Sequence, residues 1–166
     1  SHFLLAGVDY APGPKLSASA RVGVEFRSRS GASGEDSPYA ELSTKYEYGE
    51  QSFVSAGYVF SLEETSNVAL YTDIQVNRLF VNVQHAFTPA LVGSGSINYE
   101  PSTLQGRRGL SPDRDETTVR VGLALTYQAR RNWSGSITVD FDNVSSDDAA
   151  RELDRTRFGV SARYQF

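Results

Sequence analysis

The closing stretch Thr156-Arg157-Phe158-Gly159-Val160-Ser161-Ala162-Arg163-Tyr164-Gln165-Phe166 decides the fold class. Phe158, Val160, Ala162, Tyr164 and Phe166 share one parity, while Arg157, Gly159, Ser161, Arg163 and Gln165 share the other. Side chains alternate sides along a strand, so this segment has one apolar face and one polar, cationic face. A strand of this kind needs oil on one side and water on the other.

The same period-two pattern recurs upstream, giving nine segments in all, and helical spacing appears nowhere over a useful length. The clearest sets Leu16, Ala18, Ala20, Val22, Val24 and Phe26 against Ser17, Ser19, Arg21, Gly23, Glu25 and Arg27. Ala40, Leu42, Thr44, Tyr46 and Tyr48 likewise oppose Glu41, Ser43, Lys45 and Glu47. Val119 to Tyr127 alternates with Arg120, Gly122, Ala124 and Thr126, and Ile137, Val139 and Phe141 with Ser136, Thr138, Asp140 and Asp142. Further strands are expected over 2–10, 52–63, 70–87 and 90–100. Within 70–87 the phase changes, from Ile74 and Val76 to Leu79, Val81, Val83 and Phe87, which predicts a bulge near Asn77 and Arg78.

Composition narrows the class. At 166 residues the chain is one domain's worth. Its 39% of hydrophobic residues is below the usual range of about 45 to 50% for soluble globular chains, a count that includes Gly, its mean hydropathy is −0.38, and no run approaches the roughly 20 apolar residues of a spanning helix. A transmembrane barrel remains, because its outward apolar residues are diluted one to one by inward polar ones. A soluble sandwich would also alternate, so the turns matter. Net charge −4 supplies no basic field for nucleic acid, and the absence of Cys removes disulfides, thiolate nucleophiles and Cys-bound zinc. No cofactor is expected. The chain opens Ser1-His2-Phe3 without a leader pattern, which fits either a removed signal or a start internal to a longer protein.

Connections alternate between short (11–14, 49–51, 88–89, 129–132) and long and polar (28–37, 64–69, 101–115, 145–154). That is the rhythm of outer-membrane barrels, with tight periplasmic turns and longer external loops. Aromatics gather accordingly. Tyr10, Tyr48, Phe53, Phe87, Tyr127, Trp133 and Phe166 border the short turns or the terminus, and Phe26, Phe60, Tyr99 and Phe141 lie toward the opposite ends, which predicts two membrane-interface girdles. The opposite face carries the expected lumen charges: Arg21, Glu25, Lys45, Arg78, Arg120, Asp140, Asp142, Arg157 and Arg163.

The expected fold is therefore an all-β, antiparallel up-and-down transmembrane β-barrel, with residues 1–166 as one unit. Nine strands cannot return a chain to its starting side, and an open sheet edge in lipid leaves backbone N–H and C=O groups unpaired. The chain is thus expected to be the C-terminal part of a larger barrel of at least 12, and about 14 to 18, strands. The alternative is an eight-stranded barrel that begins near Lys15 and closes its last strand onto residues 15–27.

A closing strand ending in Phe resembles the C-terminal insertion signal of bacterial outer-membrane barrels, with Phe158, Tyr164 and Phe166 as the residues it would present to the barrel-assembly machinery. The unit Arg78-Leu79-Phe80-Val81-Asn82-Val83-Gln84-His85-Ala86-Phe87-Thr88-Pro89-Ala90-Leu91, repeated in kind at Arg120 to Tyr127, resembles the putative β-barrel porin 2 family over about residues 50–166. That resemblance implies an outer-membrane location, contact with lipids and lipopolysaccharide, and an association with exopolysaccharide secretion components; it implies no catalytic residues.

Candidate sites are sparse. His85 shares the apolar face with Val83 and Phe87, and no spacing picks out a catalytic triad. Asp140 and Asp142 sit two apart, in the pattern of lumen acids paired with Arg120, Arg157 or Arg163. The runs Ser145-Ser146-Asp147-Asp148 and Asp113-Arg114-Asp115-Glu116 lack the glycine and ligand spacing of a calcium loop, so no metal is expected. A porin-like channel for small solutes or an export substrate leads, a scaffold barrel of an envelope or secretion assembly follows, and an outer-membrane enzyme comes third.

Overall fold

The computed structural model describes residues 2–27, 35–64, 71–106, 112–130, 132–148 and 151–164. Among these, nine strands form one antiparallel sheet: β1 (His2–Gly13), β2 (Leu16–Arg27), β3 (Glu35–Gly49), β4 (Ser52–Glu64), β5 (Tyr71–Thr88), β6 (Leu91–Gly106), β7 (Arg114–Arg130), β8 (Trp133–Ser146) and β9 (Leu153–Tyr164). Spatial order follows chain order, so every neighbour is joined by a hairpin.

All nine expected strands are present, and most run longer than alternation indicated. β3 starts at Glu35, β6 reaches Gly106 and β7 begins at Arg114, which shortens the loops expected at 28–37 and 101–115. Ser102 still pairs with Glu116, and Leu104 with Arg114. Backbone pairing continues past the apolar band, where side chains no longer need to alternate. Strands of 12 to 18 residues exceed the roughly 9 to 11 that cross a bilayer.

The same length explains the phase change in β5. No bulge lies at Asn77 and Arg78: the ladder to β4 runs unbroken from Phe53 opposite Gln84 to Glu64 opposite Asp73, and the two β5–β6 irregularities fall between Tyr71 and Ile74 and between Ala86 and Thr88. The faces keep their sides while their chemistry changes. Beyond Asn77, Ile74 and Val76 share the polar face with Leu104, and Val76 and Leu104 are buried there with Tyr71 at the long-loop ends of the strands.

Short turns close the opposite ends. Gln51 adopts a left-handed φ of 52° at the turn between Gly49 and Ser52, where the β3–β4 register shifts by one residue. The Thr88 hydroxyl accepts from the amides of Ala90 (3.2 Å) and Leu91 (3.0 Å), fixing the Thr-Pro turn. Two glycines admit neighbours on the polar face: a Cβ on Gly57 would collide with the Phe80 ring, and one on Gly23 with Leu5.

Burial is inverted relative to a soluble sheet. Along β5 the apolar-face residues Leu79, Val81, Val83 and Phe87 are exposed, whereas Arg78, Phe80, Asn82 and Gln84 on the polar face are half-buried. Crowding of the polar side chains is what a sheet curled around that face produces. Sheet closure is not seen: β9 pairs with β8 and β1 with β2, so the eight-stranded closure onto residues 15–27 is not adopted. Val160 at the β9 edge is 83% exposed.

Candidate functional site

The polar face changes character along its height. Toward the short turns it is mostly a floor of hydroxyls and amides, with one ion pair between Lys45 and Glu47 at 2.6 Å. Ser19 bonds Ser43 and Ser136 bonds Ser161, both at 2.8 Å, and Gln84 donates to the Gln51 carbonyl at 2.9 Å. A shallow depression there is lined by Phe53, Asn82, Gln84, Ser96, Thr138 and Asp140. Apart from the Asp140 carboxylate, these groups hold water through hydroxyls and amides without a full charge.

Toward the long loops the face carries ion pairs. Arg78 Nε meets Glu100 at 2.5 Å, between β5 and β6. Arg114 meets Asp148 at 3.1 Å, and Arg151 meets Glu116 at 2.9 Å, so two acids from the runs considered for a cation have arginine partners. Among the described residues no group of His, Cys, Asp or Glu is arranged to hold a metal. On β2, Arg21 lies between Glu41 (3.6 Å) and Asp9 (3.9 Å). On β8, a single oxygen of Asp142 accepts from Arg155 (2.6 Å) and Arg157 (3.0 Å). Arg120 stands directly opposite Asp142 across the β7–β8 ladder and adds a third positive charge to that carboxylate.

The structure places Arg21, Lys45, Arg78, Arg120, Asp140, Asp142, Arg157 and Arg163 on one face, as their registers show. Glu25 lies in β2 opposite Ser37, with its side chain outside the described residues. Asp142 pairs with Arg157 as parity indicated. Its second partner, Arg155, was missed because the expected strand only began there. Asp140 faces Arg157 across the ladder yet leans the other way, with Oδ1 over Gly122, and makes no ion pair among the described residues.

One girdle residue is corrected. Phe53 lies opposite Glu47 and Gln84 on the polar face, and the Lys45 ammonium sits 4.6 Å from its ring centroid. Its place next to a short turn resembled an interface position, but its parity is that of Ser55 and Gly57. The other short-turn aromatics, Tyr10, Tyr48, Phe87, Tyr127 and Trp133, are exposed with the apolar face. His85 belongs to this set, with Tyr48 stacked on it at 5.9 Å and Phe87 edge-on at 4.8 Å. Phe158 is exposed on β9, and Tyr164 packs on Trp133 with ring centroids 5.1 Å apart. Phe166 lies outside the described residues.

The sequence profile of a family described as putative β-barrel porin 2 matches residues 54–166. Among solved structures, the chain is similar to OmpT, folded in vitro, an outer membrane protein of Vibrio cholerae, with 17% identity, a TM-score of 0.58 and 98% of this chain covered. The chain spans 55% of that protein's length. At this identity the likeness concerns the fold, and it matches an up-and-down antiparallel sheet with barrel architecture. No curated protein matches the sequence.

Proposed function

This chain belongs to the putative β-barrel porin 2 family, and from that membership we propose that its sheet is part of the wall of a water-filled channel for small solutes or an export substrate. It is a protein of the bacterial outer membrane. The observation that carries the channel reading is the inverted burial: hydroxyls, amides and ion pairs are crowded on one face while Leu79, Val81, Leu123 and Ile137 stand exposed on the other. In a barrel the first face lines an aqueous lumen and the second meets lipid and lipopolysaccharide, with Tyr10, Tyr48, Phe87, Tyr127 and Trp133 at headgroup depth. Nine strands over 55% of the neighbour's length scale to about 16 in a whole barrel, a size that leaves an open channel. In this reading the chain is one part of that barrel, and the β9 segment with Phe158 and Tyr164 is what the assembly machinery engages.

Catalysis is not part of the proposal. His85, the histidine closest to an acid–base arrangement, has aromatic neighbours on the apolar face and a Tyr48 hydroxyl 3.2 Å from Nδ1. The test is conductance: the full-length protein, refolded in detergent and inserted into planar bilayers, should give stepwise, ohmic current. Insertion without current would overturn the channel and leave a scaffold barrel of an envelope or exopolysaccharide secretion assembly.

A further inference from the structure

We propose that Arg120, Arg155 and Arg157, gathered around the carboxylate of Asp142 on the polar face of β7–β9, form a binding station for a solute that carries a carboxylate or phosphate group. The proposal rests on the channel reading for its access route, since the cluster lies on the face that lines the lumen in that reading.

Charge balance is the first support. Three guanidiniums surround one carboxylate that is only 7% exposed, and both Asp142 contacts with β9 use the same oxygen. Asp140, opposite Arg157 in register, leans over Gly122 and makes no ion pair with it. The second support is donor capacity. A guanidinium has five N–H donors. Arg155 directs Nε and one terminal nitrogen at Asp142, and Arg157 directs one terminal nitrogen, so both groups keep N–H donors beyond those that Asp142 takes. Arg120 is exposed and makes no hydrogen bond to a described residue. The fork geometry of these groups matches carboxylate and phosphate oxygens.

The third support is position. Gly159 and Ser161 follow Arg157 on the same face of β9, leaving a low floor between the cluster and Arg163 nearer the short turns. An anion released from the station meets the next cation along one strand rather than a wall of side chains.

The test uses the full-length protein refolded in detergent micelles, with inorganic phosphate as the probe, measured by equilibrium dialysis at low ionic strength. Saturable binding is expected, weakened about tenfold in the Arg155→Gln/Arg157→Gln double variant and unchanged in Arg21→Gln. Binding that is absent, or equal in the double variant, overturns the proposal. If the double variant does not fold, as read from heat-modifiable gel mobility, Asp142→Asn decides. Removing the competing negative charge should tighten phosphate binding, and unchanged or weaker binding overturns the proposal. Because dialysis requires no current, a protein that binds phosphate but does not conduct would refute the channel and leave the anion site standing.

Discussion

The two ends of the polar face are opposite in charge logic. At β1–β3 one cation, Arg21, lies between two carboxylates at 3.6 and 3.9 Å. At β8–β9 one carboxylate, Asp142, lies between two guanidiniums at 2.6 and 3.0 Å, with Arg120 opposite. Between them, Arg78 and Glu100 form a balanced pair. Both ends arise from the same rule, alternation that sends charged residues to one face. The difference is burial of the shared partner: Asp142 is nearly covered, whereas Arg21 is about half exposed at 48%. Surface pairs contribute little, while removing the shared partner of a covered cluster strands the charges it held.

The largest expected effect therefore comes from breaking the tighter end. In the full-length protein refolded into lipid vesicles, Asp142→Ala should lower the urea unfolding midpoint at least twice as much as Arg21→Ala. Arg21→Ala itself should cost under about 1 kcal/mol, as exposed pairs do. Equal losses would mean that the two ends are energetically alike and that burial of Asp142 is unimportant.

Salt should sharpen the contrast with a smaller change. Raising ionic strength from about 0.1 M to 1 M shortens the Debye length from about 10 Å to 3 Å, which screens exposed charges far more than covered ones. The Arg21→Ala deficit should vanish in 1 M KCl, while more than half of the Asp142→Ala deficit persists. Parallel loss of both, in the same urea titrations, would show that Asp142 is as accessible to counterions as Arg21.

How much of this was legible follows from what period two can and cannot encode. Parity places Arg157, Asp142, Arg120 and Arg21 on one face, because a strand gives each residue only two sides. Nine strands and their turns were readable for the same reason. Nearness to a turn is a weaker guide than parity: Phe53, beside a short turn, looked like a girdle residue although its parity already put it on the side of Lys45 and Ser55. Parity does not show where a strand leaves the apolar band: Ile74 and Val76 read as a bulge when they are apolar residues on the polar face beyond it. Diagonal choice was also invisible. Arg157 faces Asp140 in register but bonds Asp142, and that preference depends on the space above Gly122, where Asp140 leans.

That last dependence yields the smallest expected effect. A Cβ on Gly122 would stand 2.9 Å from Ser96 Oγ and 3.3 Å from Asp140 Oδ1. The Ser96 hydroxyl can rotate away, but the Asp140 carboxylate must give by a few tenths of an ångström, and Arg157 lies opposite it on the β9 side. Gly122→Ala should thus move negative charge toward Arg157 and weaken phosphate binding about twofold, far less than loss of two guanidiniums would. Stability should change by no more than about 0.5 kcal/mol, because the loss of glycine's unfolded-state freedom offsets the crowding. Gly95→Ala is the control: it lies on the apolar face, its Cβ would meet Leu123 Cδ2 at an ordinary 3.4 Å, and it touches no charge. If Gly95→Ala weakened phosphate binding as much as Gly122→Ala, the effect would be a general response of the sheet, and the lean of Asp140 would not be what leaves the β9 arginines in excess.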